Sequence, residues 1–219
     1  MTTAGLSLSS GGLFDQPAVR ERTDKLILLQ LNRPIVENPR GDMSFETVLA
    51  SERVYEGRIL NLRVDEIRTP TGVEALREIV ENGGAVAMVA LDDQQRVMLV
   101  KQYRHAVRGL VIEIPAGKLD GDEDPLVGAQ RELREETGFQ AGRFERLGSC
   151  YPAPAWSTEF VYLYLATELT PGPAQPEADE AIELLRVPLA EAIELIHSGA
   201  IIDGKTIAAL LLAQQRLTA

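Results

Sequence analysis

From Phe45 onward the chain alternates apolar and polar positions in the two-residue period of half-buried strands. Val54-Tyr55, Ile59-Leu60-Asn61-Leu62-Arg63-Val64 and Ile67 carry the alternation up to Thr69-Pro70-Thr71-Gly72, which reads as a turn. Val73–Val80 is the returning strand, and Asn82-Gly83-Gly84 closes a small antiparallel unit. Two continuous apolar runs follow, Ala85–Leu91 and Val97–Tyr103, joined by Asp92–Arg96 in the manner of a buried hairpin. Val111–Ile114 is a short strand that runs into Pro115-Ala116-Gly117. Phe144–Tyr151 and Phe160–Ala166 are strands on either side of the loop Pro152–Glu159, and Thr170–Asp179 is a proline-rich acidic loop. Ile182–Val187 is a last strand, and Leu189–His197 and Thr206–Leu217 have helical periodicity.

The pattern changes character at Asp124. Aspartate is a good N-cap and Pro125 suits the first helical position, while Gly138 reads as the C-terminal stop. Glu132, Glu135 and Glu136 then stand three and four residues apart and share one helical face. Like charges at that spacing repel by a few tenths of a kcal/mol per pair, roughly. A cation among them reverses the sign, and hard divalent ions are held by such oxygen ligands.

Strands and helices interleave without a regular βαβ period, which predicts either a mixed α+β chain or an α/β/α sandwich. Three segments are expected: an N-terminal extension over 1–44, a β unit over 45–84 and a larger mixed domain over 85–219. The extension begins with a Ser/Gly-rich tail that reads as disordered, and Pro34 and Pro39 interrupt its later part.

Charge narrows the partners. With 33 acidic residues against 22 Lys plus Arg the formal charge is −11, which argues against nucleic acid or an anionic membrane as the main partner. The apolar stretches Leu26–Leu31 and Ile207–Ala213 fall far short of the ~20 residues that span a bilayer. Met1–Gly12 lacks the basic start and apolar centre of a signal peptide. Cys150, the single cysteine, permits no internal disulfide or cysteine zinc site, and a reducing cytoplasm fits best.

Taken together, Gly117, Glu123, Arg131-Glu132-Leu133, Glu135-Glu136, Gly138 and Phe139 resemble the Nudix box. The resemblance implies a Nudix-type α/β/α sandwich and hydrolysis of a nucleoside diphosphate linked to another moiety. By position, Glu132, Glu136 and the backbone carbonyl of Ala116 match metal ligands for magnesium, with manganese or another divalent cation as substitutes. Glu135 matches a supporting acid, and Arg131 a residue that orients the glutamates. Glu123 matches either a pairing partner within the motif or a direct metal contact.

Beyond the box the chain is similar to the ADP-ribose pyrophosphatase branch. Pro154 at its distance from Gly138, Glu113-Ile114-Pro115-Ala116-Gly117, Gln102-Tyr103-Arg104 and Gly57-Arg58-Ile59-Leu60-Asn61 carry that likeness. It implies a homodimer whose N-terminal sheet is exchanged between subunits. Arg58 and Ile59 then match positions reaching the adenine end of the substrate, with Glu78 on the same side. Arg104 matches a contact to its phosphate or ribose region, and Glu113 and Glu159 match acids lining the site. Glu180, in a segment resembling the branch's acidic loop, matches the group that serves the attacking water, with Glu177 and Glu183 as rivals. The reaction expected is cleavage of ADP-ribose to AMP and ribose 5-phosphate. The alternatives are another nucleoside diphosphate sugar as substrate, and a non-catalytic ADP-ribose-sensing regulator, which a broken box would signal. This box is whole.

Trp156, in the Pro154 loop, either stacks on a base or covers the sheet edge. Gly199–Thr206 satisfies the letter of a phosphate-binding P-loop, but a helix precedes it where that motif needs a strand. Gly199 is read instead as a helix end and Asp203-Gly204 as a turn into the next helix, so Lys205→Ala is expected to leave hydrolysis intact.

Overall fold

The computed structural model describes residues 45–174 and 181–218. The extension over 1–44 and the acidic loop residues that include Glu177 and Glu180 lie outside the described residues. The chain divides into two compact units between Ile79 and Val80, just ahead of the Asn82-Gly83-Gly84 boundary read from sequence.

The first unit is a three-stranded antiparallel sheet in the order β1 (Thr47–Glu56), β2 (Asn61–Arg68), β3 (Glu74–Glu81). Sequence alternation runs the first strand through Ile59-Leu60, whereas the chain turns there. Gly57 N–H donates to the Leu60 carbonyl at 3.1 Å and to Asn61 Oδ1 at 3.3 Å, which closes the β1–β2 turn around two exposed apolar residues. The Thr69–Val73 turn forms as expected, with Gly72 at φ 86°.

The second unit is a mixed sheet with helices on both faces. Its spine is β10 (Ile182–Pro188), β5 (Arg96–Arg104), β4 (Gly84–Leu91), β9 (Phe160–Pro171) and β8 (Phe139–Cys150), while β6 (Gly109–Glu113) pairs with β5 and β7 (Ala116–Lys118) with β4. The β4–β5 hairpin expected from sequence is only partly made. The two strands pair at Ala90–Met98 and Leu91–Val97 and then part, β5 to β6 and β4 to β7. On its other side β4 runs parallel to β9 from Gly84–Phe160 to Ala90–Ala166. Such an interior strand is buried on both faces, which explains the unbroken apolar run of Ala85–Leu91.

Alternation along β4 separates two cores. Ala85, Ala87, Val89 and Leu91 pack with Ala192 and Ile193 of α2 (Leu189–His197) and with Ala209, Leu210 and Ala213 of α3 (Gly204–Thr218). Val86, Met88 and Ala90 pack on the opposite face with Ala129 and Leu133 of α1 (Pro125–Thr137). The α/β/α sandwich predicted from sequence is therefore the fold of this unit.

Candidate active site

The charged helix is set by its ends. Asp124 caps α1 by accepting from Leu126 N–H at 2.9 Å and Val127 N–H at 3.4 Å, and Pro125 opens the first turn. Gly138, left-handed at φ 72°, ends it with its N–H on the Arg134 carbonyl at 2.9 Å. Leu133 and Ala129 face the core, so the stripe bearing Glu132, Glu135 and Glu136 turns toward β7.

Arg131 lies among the acids. Its Nη1 donates to Glu132 Oε1 at 2.6 Å and Glu135 Oε2 at 3.1 Å, and its Nη2 to Glu123 Oε2 at 2.8 Å and the Lys118 carbonyl at 2.9 Å. Nε reaches Glu123 Oε1 at 3.1 Å. The hydrogen bonds to Glu123 above all, then those to Glu132 and Glu135, hold the guanidinium more firmly protonated than an ordinary arginine. Arg131 in turn keeps the Glu123 carboxyl below the usual carboxylate range. Glu123 is thus paired with Arg131 through both carboxylate oxygens.

Glu136 is buried and accepts from Ala116 N–H at 3.0 Å. Strand β7 is held against β4 by Ala87–Ala116 and Val86–Gly117, and the Pro115 carbonyl takes the Met88 N–H at 3.0 Å. The glycine at 117 is a steric requirement. A Cβ there would overlap the Glu132 carboxylate, so only glycine lets that carboxylate lie against the strand. Among the described residues no three His, Cys, Asp or Glu side chains converge as a ready coordination group. The donors present do suit a hard divalent cation: carboxylates crowded on one face, their charge only partly offset by one guanidinium.

A second charged cluster lies at the end of β6. Glu113 is 2% exposed and takes a bidentate pair from Arg104, Nε to Oε1 at 2.7 Å and Nη2 to Oε2 at 2.9 Å. Lys205, at the start of α3, pairs with the same Oε2 and lies 3.0 Å from Asp203 Oδ2. Burial alone would raise the Glu113 carboxyl, but the hydrogen bonds and charges of Arg104 and Lys205 outweigh it and hold it low. Arg104 is raised in return, chiefly by its bond to Glu113.

The structure thus brings together Arg131, Glu132 and Glu135, joins Glu136 to Ala116, and joins Arg104 to Glu113. Glu159 sits in the loop before β9, 3.5 Å from Asn82 Nδ2, and its N–H donates to Ser157 Oγ at 3.2 Å. That loop is tied down by Val80, whose N–H meets the Trp156 carbonyl at 2.7 Å and whose carbonyl takes Thr158 N–H at 3.0 Å. Trp156 itself is exposed. Glu183, the described rival of Glu180, is exposed on β10 and pairs with Lys101 at 3.0 Å. Arg58 and Ile59, exposed in the β1–β2 turn, and Glu78, exposed on β3, belong to the first unit. Sequence reasoning missed Lys205 and Asp203 as partners of the Arg104–Glu113 pair. Their motif was visible, but only as a rejected P-loop. The rejection stands: α2 precedes it, Gly199 ends that helix at φ 76°, and Asp203 caps α3 by accepting from Thr206 N–H at 2.9 Å.

Comparison with known proteins fits this geometry. Residues 81–210 match the NUDIX domain, and residues 46–80 match the nucleoside diphosphate sugar hydrolase N-terminal domain. An ADP-ribose pyrophosphatase of Mycobacterium tuberculosis is 42% identical over 78% of this chain and 84% of its own length. One from Bacillus subtilis is 37% identical over 74% of this chain and 88% of its own. A methanol dehydrogenase activator of Bacillus methanolicus is also 37% identical, over 78% of this chain and 93% of its own. A crystal structure of an ADP compounds hydrolase superposes with a TM-score of 0.74 at 24% identity, over 81% of this chain and 96% of that one, and shares the fold. On the whole box, the sandwich around it and these matches, the chain belongs to the Nudix family of hydrolases.

Proposed function

We propose that the protein is a homodimeric ADP-ribose pyrophosphatase, splitting its substrate into AMP and ribose 5-phosphate by attack of water on one phosphorus of the diphosphate. The observation that carries this reading is the packing of an intact carboxylate face on α1 against Gly117, where Glu132 fits only because position 117 has no side chain. The kinship with ADP-ribose pyrophosphatases supports the choice of substrate.

In this reading Glu132, Glu136 and the Ala116 carbonyl would hold a divalent cation, magnesium by preference. Such an ion, when bound, screens the charge of a diphosphate and makes a bound water a better nucleophile. Arg131 aims Glu132 and Glu135 through ion pairs at 2.6 and 3.1 Å, and Glu135 supplies further negative charge beside them. Arg104 spends two N–H groups on Glu113 and turns the rest of its fork to the phosphate or ribose region. Glu113, itself buried, lines the site by holding Arg104 in place. Glu159 lines the substrate side, and Glu180 takes the proton of the attacking water. Arg58, Ile59 and Glu78 would reach the adenine end from a second subunit. Exposed Val48, Val54, Tyr55, Ile59, Val73 and Leu76 give the three-stranded sheet an apolar surface suited to such a partner. No described helix is long and apolar enough to cross a membrane, and a reducing, cytoplasmic setting fits the lone, half-buried Cys150.

The N-terminal domain match, to nucleoside diphosphate sugar hydrolases, favours a second reading with the same chemistry on another sugar. Incubating the protein with Mg²⁺ and a panel of nucleoside diphosphate derivatives, followed by product identification, decides between them. ADP-ribose should be cleaved fastest, giving AMP. If ADP-glucose or GDP-mannose is cleaved as fast, the ADP-ribose assignment falls while the hydrolase remains.

A further inference from the structure

Lys205 has no part in the scheme above, yet its side chain is only 17% exposed and both of its ion pairs are with acids. Arg104 and Lys205 pair directly with Glu113 and Asp203, and the Glu136 carboxylate also lies near enough to act on Arg104, so two cations serve three carboxylates. Asp203 is already engaged by α3, accepting from Thr206 N–H at 2.9 Å and from Thr206 Oγ1 at 2.6 Å. The same Thr206 Oγ1 accepts from Ile114 N–H at 3.0 Å, which pins the start of α3 to the strand end just before Ala116.

We infer that Lys205 is a positioning residue for the substrate diphosphate: by sharing the Glu113 carboxylate and covering Asp203, it leaves the Arg104 guanidinium with positive charge to offer an anionic oxygen. Without Lys205, one guanidinium faces the carboxylates of Glu113, Asp203 and Glu136 in a half-buried place where charges are poorly screened. Arg104 is then neutralised by Glu113 alone, and the surplus charge of Asp203 repels the diphosphate. The expectation from sequence that Lys205 is dispensable does not follow from this geometry. The inference rests on Arg104 being a substrate contact, as proposed above.

The test compares parent, Lys205→Met and Lys205→Arg, each also in an Arg104→Gln background that keeps a donor for Glu113. Two readouts are used: steady-state hydrolysis of ADP-ribose with Mg²⁺, and calorimetric binding of ADP, which involves no turnover. Lys205→Met should raise KM and weaken ADP binding about tenfold, the size expected for one charge-assisted contact, with kcat changed less than about twofold. Lys205→Arg should restore both values, and with Arg104→Gln the Lys205→Met effect should shrink to within about twofold. An unchanged KM and ADP affinity in Lys205→Met would overturn the inference, as would an equal effect with and without Arg104. A fall in kcat that arginine does not rescue would mark a merely structural lysine and overturn it too. A parent inert toward ADP-ribose whose ADP binding still depends on Lys205 would sink the proposed activity and keep this inference; a parent that neither cleaves ADP-ribose nor binds ADP would sink both.

Discussion

The two units of this chain treat their apolar residues in opposite ways. The second buries Val86, Met88, Val89, Met98, Leu99, Ile114, Leu133, Leu163 and Leu210 completely, in two cores on either side of one sheet. The first has a single buried apolar side chain among its described residues, Ile67, and leaves Phe45, Val54, Tyr55, Ile59, Val73 and Leu76 at least half exposed. A three-stranded sheet with so little core is marginal by itself. The second unit therefore carries the stability and the chemistry. The first presents its apolar residues as a surface, the one on which the proposed dimer would form.

Substitutions can pull these two jobs apart. The largest effect is expected from Glu132→Gln, which removes one carboxylate charge from α1 while leaving its shape. Hydrolysis should fall on the order of a thousandfold, as when a preorganised electrostatic group is lost, with the oligomeric state in light scattering unchanged. Next comes Gly117→Ala. The new methyl would collide with the Glu132 carboxylate, and displacing that group should cost about a hundredfold in kcat with circular dichroism preserved. Leu76→Asp acts on the other unit. A charge at this 62% exposed residue should weaken self-association by roughly tenfold to a hundredfold in sedimentation equilibrium, while the thermal transition of the second unit stays in place.

Asp124→Ala removes the α1 cap and should cost about 1 kcal/mol, a fall of about 2–4 °C in Tm for a chain of this size. The finest effect is on pH dependence. Glu113 and Glu123 have folded pKa values below their ordinary 4.5, so their contribution is fully present above that value and is lost as pH falls through the depressed ones. The urea midpoint should hold from neutrality to about pH 5 and decline below it, more shallowly in Glu123→Gln.

What could be read from the sequence was what is locally encoded. Asp124, Pro125 and Gly138 specify the ends of α1 through contacts within a turn, and the spacing of Glu132 and Glu136 follows from helical geometry. The β1–β2 turn was hidden because Ile59 and Leu60 are apolar and continue the alternation, although the chain turns there. The incomplete hairpin was hidden for another reason. Whether β4 takes β5, β7 or β9 as its neighbour is decided by partners far along the chain, and an apolar run carries no signal of that choice. The Lys205–Glu113 pair spans 92 positions, beyond the reach of any local pattern. Glycine at 117 was legible as a motif letter, but its reason, the room taken by Glu132, required coordinates.

The parallel pairing of β4 with β9 has a consequence for how the protein is made. A ribosome delivers β4 well before the strand that pairs with it from Gly84–Phe160 to Ala90–Ala166, and β4 is apolar on both faces. Until Phe160–Pro171 emerges, that strand has β5 and β7 for neighbours and one edge open, the kind of exposed template on which nascent chains aggregate. Non-local pairing of this sort also slows folding. Expression at low temperature or with a holdase chaperone should therefore raise the soluble yield of this protein more than any substitution at its charged helix.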